Sequence, residues 1–235
     1  MKLVCSHIKK TFKEKEVLKD IDTVFEKGKI YGLLGRNGAG KTTLFNCISK
    51  EIPMDEGTCY FEDETGQLPI DESDIGFVFS TPVLPEFLTG YEFIKFYMEA
   101  NDKYIKDPLP IDQYFDMMKM DKVDRHRLIK EYSHGMKNKV QMLCFIIAKP
   151  LVVLLDEPLT SFDVVVALEM KNLLRQMRQD HILIFSTHVL QLATDLCDEI
   201  VILHNGTLQT LDDETLHSPN FENEIVEILK DEDHA

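Results

Sequence analysis

No C-x-x-C pair occurs in the 235 residues, and the five cysteines (Cys5, Cys47, Cys59, Cys144 and Cys197) are odd in number. This argues against a disulfide framework or a zinc knuckle and leaves them as small apolar residues of a reducing compartment. Basic residues are scarce, with 26 Lys and Arg against 41 Asp and Glu for a net charge of −15. Such a surface repels phosphate backbones and anionic headgroups, so no nucleic-acid partner and no adhesion to lipid are expected. Long apolar runs are missing too. The greasiest stretches, 140–148 and 151–155, are separated by Lys149-Pro150 and are too short to span a bilayer, so direct membrane insertion is not expected. The opening MKLVCSHIKKTFKEKE gains charge where a signal peptide turns apolar, which predicts a cytoplasmic chain. No internal repeat is visible.

What is present is a hydrophobic content of 44%, enough for a substantial buried core. Residues 1–30 alternate imperfectly, with turn-like breaks at Lys19-Asp20 and Glu26-Lys27-Gly28, and predict two or three short strands. Residues 30–34 (IYGLL) read as a strand that runs through a glycine-rich turn into a helix over 41–48. Residues 51–75 mix Gly, Pro and acids with short apolar pieces, an irregular β region, and a strand follows over 75–79. From 89 to 121 the spacing turns helical, broken at 107–110 (DPLP), with a second helix over 111–120. A further helix is predicted from Ser133 to about Ala148. Strands over 152–156, 182–186 and 199–204 then alternate with helices over 164–180 and 189–196. A turn at Asn205-Gly206, a last strand and a helix over 221–230 close the chain. Strands alternating with helices imply an α/β protein, a largely parallel sheet covered on both faces.

Gly35-Arg36-Asn37-Gly38-Ala39-Gly40-Lys41-Thr42 matches G-x-x-x-x-G-K-[ST], after a strand and before a helix. Glycines let the backbone curl so that successive N–H groups converge on a phosphate, and the helix N-terminus adds partial positive charge. Lys41 is placed to reach the β- and γ-phosphates of ATP, the Thr42 hydroxyl to bind Mg²⁺, and Thr43 to assist. The plain alternative is a flexible glycine turn that happens to precede a lysine; the strand and helix in register weigh against it. Downstream, the aliphatic run 151–155 delivers Asp156 to a strand end, where open α/β sheets bind ligands. Asp156 is expected to hold Mg²⁺ and Glu157 to act as general base toward the attacking water. Alone these two acids could be a solvated strand end capped by Pro158. Beside Lys41 they read as the second half of a nucleotide site.

These motifs, with the segments between them, resemble the ATP-binding cassette family over nearly the whole chain. The resemblance implies a phosphate-loop NTPase with a RecA-like core, an N-terminal antiparallel β subdomain and an inserted α-helical subdomain. On that pattern residues 1–30 and 51–75 are the β portion, 31–50 and 151–210 the core, 88–150 the helical insert and 211–235 a short C-terminal extension. Tyr132-Ser133-His134-Gly135-Met136-Lys137 resembles the family signature in the Y-S-x-G-M-K form familiar from exporter-type cassettes. In head-to-tail dimers Ser133 and Gly135 of one chain then cap the nucleotide held by the other. Residues 159–163 occupy the place of the D-loop; Asp163 is kept, while Ser161 and Val164 replace the usual Gly and Pro. His188 matches the switch histidine that contacts the γ-phosphate. Phe12 stands where the family stacks an aromatic on adenine, although a packed core phenylalanine is an equal reading.

The clearest departure is Ser80, where members usually carry Gln and some exporters Glu, so weaker Mg²⁺ coupling or slower hydrolysis is expected. Leu84, Phe87 and Leu88 fall where the family receives a helix of its membrane subunit; packing within the insert is the alternative. The resemblance therefore implies a transport-coupled ATPase, lying peripherally on the inner face of the cell membrane. Its partners would be a transmembrane permease and a second cassette, identical in a homodimer. A soluble cassette ATPase, as in cluster assembly, or a weakly hydrolysing ATP-dependent regulator are the rival readings.

Overall fold

The computed structural model describes residues 1–158, 164–211 and 221–230. The first two strands are longer than the sequence pattern suggests: β1 (Lys2–Phe12) and β2 (Lys15–Glu26) pair antiparallel. Lys19-Asp20 is not a break but lies inside β2. The turn falls at Lys13-Glu14, with Lys13 at φ 56°. The imperfect alternation has a local cause. His7 sits at φ 53° where the register shifts between Cys5 and Ile8. That bulge changes the parity, so Leu3 and Cys5 before it and Ile8 and Lys10 after it are all buried. β1 also pairs with β4 (Glu56–Asp63), and β4 with the short β5 (Gly66–Leu68), both antiparallel.

At the other end of the sheet β3 (Ile30–Leu34), β6 (Ile75–Val78), β7 (Val152–Asp156), β8 (Ile182–Thr187) and β9 (Glu199–His204) run parallel in the order β6-β7-β8-β3-β9. β10 (Thr207–Thr210) returns antiparallel to β9 and bridges to β2, joining both regions in one ten-stranded sheet. The fold is thus α/β, with an antiparallel N-terminal part and helices inserted between β6 and β7, as expected.

Period-two alternation decides which layer each strand residue enters. Val152, Leu154, Ile182 and Ile184 pack on α1 (Lys41–Ile48) through Leu44, Phe45 and Ile48. Val153, Leu155, Leu183 and Phe185 point to the opposite face. There they meet α2 (Gly90–Ala100), α5 (His134–Ala148) and α6 (Val164–Met177) through Ile94, Leu143 and Met170. A third cluster joins Leu34, Ile200 and Ile202 to α7 (Leu190–Leu196) and α8 (Phe221–Lys230). Full burial of each such side chain stabilises by roughly 1.5–3 kcal/mol.

The helical insert is set by local signals. Thr89 and Glu92 form a capping box at the start of α2. After Pro110 comes α3 (Ile111–Met117), shorter than the expected 111–120 because Lys119 turns the chain at φ 48°. A short α4 (Lys122–Arg125), which the pattern did not reveal, brings in buried Arg125. Its guanidinium bonds Asp112 (2.7 Å), Asp116 and the Met120 carbonyl (2.8 Å).

Gly32, in the middle of β3, faces Cys197: a Cβ there would lie 2.6 Å from its Sγ. Gly32→Ala should therefore cost about 1–3 kcal/mol in urea unfolding, the usual penalty of overpacking. In a Cys197→Ala background the penalty should fall by more than half. Equal penalties in both backgrounds would show that this contact does not limit the packing.

Candidate functional site

Four parallel strands end on the same edge, and the loops beyond them carry the residues singled out in the sequence. β3 leads into the glycine loop, β6 to Ser80, β7 to Asp156-Glu157 and β8 to His188. A cavity of about 340 Å³ opens there, lined by Val17, Asn37, Gly38, Gly40, Lys41, Thr42, Thr43, Ser80, Asp156 and Glu157. Its volume lies in the range of small-ligand sites. Gly38 and Gly40 adopt φ 82° and 109°, backbone that side chains with a Cβ rarely take, and a Cβ on Gly40 would meet Val17 at 2.9 Å. α1 starts directly after Gly40, so its free N–H groups face the cavity.

Lys41 is 7% exposed, and its ammonium donates to the carbonyls of Gly35 (2.8 Å) and Arg36 (3.2 Å). Burial pushes its pKa down, while Glu157 and Asp156 pull it back up. Opposite it, Asp156 is 4% exposed. The Thr42 hydroxyl donates to its Oδ2 at 2.8 Å and the Ser186 hydroxyl to its Oδ1 at 2.5 Å. Ser186 Oγ also accepts the Glu157 amide at 3.1 Å. Glu157 itself sits at φ 49°, in the left-handed region, and its Oε1 pairs with His188 Nδ1 at 2.9 Å. A hydroxyl, a carboxylate and a second carboxylate one residue away make an oxygen-rich set suited to Mg²⁺ beside a phosphate cradle. The donor set fits MgATP.

Other predicted residues lie elsewhere. Ser133 and Gly135 stand at the start of α5 and do not line this cavity; Ser133 caps the helix by accepting the Met136 amide at 3.2 Å. Phe12, at the end of β1, is 47% exposed, which removes the packed-core reading. Asp163 and its neighbours 159–162 lie outside the described residues. Sequence reasoning missed Ser186 and Val17. For Ser186 a signal existed, because a hydroxyl at the polar end of the apolar run 182–186 pairs in register with Asp156. Val17 gave none; only the fold of β2 brings it over the loop.

A second cavity, of about 300 Å³, lies beside β6 and α5; most of its lining residues are apolar or aromatic, among them Phe77, Phe79, Leu84, Phe93 and Tyr97. Val83 and Phe87 in the adjoining loop are 78% and 79% exposed, so Phe87 does not pack the insert. Gln141 Nε2 donates to the Phe79 carbonyl at 3.4 Å.

A family model described as "ABC transporter" matches residues 18–160. The sulfate/thiosulfate import ATP-binding protein CysA 2 of Agrobacterium fabrum is 30% identical over 229 residues, which cover 94% of this chain and 67% of that protein. Among solved structures, the ATP-binding subunit of an ABC transporter aligns with a TM-score of 0.82 at 24% identity, covering 98% of this chain and 100% of that one. A dimeric ATP-binding cassette in a post-hydrolysis state, bound to ADP and Pi, aligns at 0.76 and 20% identity over 89% and 99%.

Ser186→Ala removes a donor to Asp156 and the acceptor for the Glu157 amide. We expect a loss of roughly 1.5–3 kcal/mol in urea unfolding, the usual weight of a hydrogen bond to a charged group, and weaker Mg²⁺-dependent nucleotide binding by calorimetry. An unchanged unfolding midpoint together with unchanged Mg²⁺ affinity would remove Ser186 from the site.

Proposed function

The chain belongs to the ABC transporter family as an ATPase cassette, and from that premise we propose that it hydrolyses MgATP in a head-to-tail dimer and drives a transmembrane permease. The observation that carries the proposal is the convergence of Lys41, Thr42, Asp156 and Glu157 on one cavity at the strand ends. Gly35, Asn37, Gly38, Gly40 and Thr43 wrap the phosphates with backbone and hydroxyl donors, and Lys41 offsets the charge on the β- and γ-groups. Mg²⁺, when bound, neutralises the charge that develops on the phosphoryl oxygens. Thr42, Asp156 and Ser80 are the residues to hold it. Glu157 accepts the proton of the attacking water, and His188, 2.9 Å from its carboxylate, orients that group.

Phe12 offers an exposed ring to the adenine. Ser133 and Gly135, exposed or half-exposed at the head of α5, and Asp163 complete the partner's site. Because half of each site comes from the other chain, bound ATP favours the closed dimer, and hydrolysis releases it.

The permease docks a helix in the apolar groove beside β6. Phe79 lines that groove and Ser80 the nucleotide cavity, so adjacent residues face the two sites. No helix among the described residues is long and apolar enough to cross a membrane; in this reading the motion is passed to a separate subunit, from the cytoplasmic face. The Tyr132–Lys137 signature favours export as the direction; reconstitution with the permease in vesicles, scoring the side on which substrate accumulates, tests it.

Glu157→Gln should lower phosphate release by about 10²–10⁴-fold, the usual contribution of a general base, while preserving ATP affinity and trapping a dimer on gel filtration. Undiminished turnover would assign the base elsewhere. Ser80→Gln restores a longer amide reach toward the metal. It should raise turnover and steepen its dependence on Mg²⁺, and flat kinetics in that variant would free Ser80 from metal coupling.

A further inference from the structure

Three of the five cysteines lie in one part of the molecule. Cys5 of β1 and Cys59 of β4 are direct partners in the antiparallel ladder, and their sulfurs are 3.5 Å apart. Cys47 of α1 packs in the same hydrophobic core. Cys5 is 1% exposed, whereas Cys59 is half-buried at the edge of that core. All three are thiols, and none serves the nucleotide chemistry described above.

A disulfide needs sulfurs at about 2.05 Å and Cβ atoms about 3.5–4.5 Å apart. Directly opposed residues of an antiparallel pair hold their Cβ atoms about 4.5–5.5 Å apart, so the two requirements meet at their margin. The sulfurs already face one another, and small side-chain rotations close the remaining gap. We propose that Cys5 and Cys59 are a modification site, oxidised by hydrogen peroxide to a cross-strand disulfide, with Cys59 as the entry thiol and Cys5 as the resolving thiol.

Exposure sets the order of events. The Cys59 sulfur attacks one peroxide oxygen, the O–O bond breaks and water leaves, giving a sulfenic acid. The Cys5 sulfur then attacks the Cys59 sulfur, the S–O bond breaks, and a second water departs. Two thiols and one peroxide become one disulfide and two waters. The thiol hydrogen bond to Cys59 and then burial push the Cys5 pKa well up, so Cys5 does not ionise to meet peroxide first. Burial, with a further contribution from Cys59, pushes the Cys47 thiol up to about 11, which keeps it protonated as well.

The product ties together residues 54 apart in sequence. It does so on the two strands whose far ends are held by ion pairing, Lys10 to Asp55 at 2.8 Å with the Thr11 amide on the same carboxylate at 2.7 Å. Phe12 follows directly, so the bond braces the strand that carries the exposed aromatic.

The test exposes the intact chain to hydrogen peroxide, removes the peroxide, blocks remaining thiols with N-ethylmaleimide in denaturant and maps peptides without reduction. The expected result is a linked pair containing Cys5 and Cys59, with two of five thiols lost and both recovered with dithiothreitol. Cys59→Ala, a half-exposed position that should fold, abolishes the link and leaves Cys5 alkylated; Cys47→Ala leaves the link in place. Cys59 recovered as a sulfinic acid with Cys5 alkylated, or Cys59 linked to Cys47, overturns the proposal.

Discussion

Asp156 is a carboxylate with almost no access to water, and a buried charge is tolerated only where hydrogen bonds or counter-charges replace its hydration. Here the replacement comes from two separate parts of the chain, the first turn of α1 and the end of β8. Thr42 arrives from the first turn of α1, Ser186 from the end of β8, and Lys41 faces the pair across the cavity. Each partner is in place only if β7 lies between β6 and β8 in the observed register and α1 lies over the sheet. The charge proposed to meet a metal is thus also a lock on the fold. The β8 hydroxyl does a second task, since it accepts the amide of Glu157 and helps hold that residue in its left-handed turn.

The same arrangement explains why the site can handle a highly anionic ligand in a chain of net charge −15. Long-range attraction is absent, so binding depends on short-range donors: curled amides, a helix N-terminus and one buried ammonium. Burial lowers the Lys41 pKa, and the two neighbouring carboxylates oppose that shift, keeping the cation available where the phosphates lie. In the proposed reaction a divalent ion would compensate the remaining acidity. Local preorganisation outweighs the global field here because both the cation and the carboxylate are shielded from solvent screening.

Much of the parallel region was legible in the sequence, for a physical reason. IYGLL and VVLLD are short apolar runs bounded by glycine, proline or charge, and strands buried on both faces have that form. Both were placed at their observed limits, as were α1 and α8. The β1–β2 hairpin was harder, because a bulge at His7 shifts the alternation in mid-strand and imitates a break. α4 was invisible because four residues are too few to show a helical period. In the site, the phosphate loop and Asp156-Glu157 were readable because their chemistry fixes local spacing. Ser186 left only a partial signal, a hydroxyl at the end of an apolar run, because its role depends on pairing between strands 30 residues apart in sequence.

The exit of β6 shows how far such long-range pairing extends the mechanism. Strand alternation is a two-sided device: successive residues face opposite ways, so a strand that leaves a sheet can touch two cavities with neighbouring side chains. Phe79 and Ser80 continue that alternation just past the strand end, one into the apolar groove and the other into the nucleotide cavity. Gln141, mostly buried on α5, fastens the backbone between them to the helical insert through the Phe79 carbonyl. A displacement of α5 therefore pulls on the peptide that carries Ser80. α5 is capped by Ser133, the residue proposed to meet the second cassette, so in that reading a partner pressing on the helix N-terminus and a ligand filling the groove act on one rigid rod. Coupling between the groove and the phosphates then needs no distributed network. It needs one helix, one hydrogen bond and the parity of a strand.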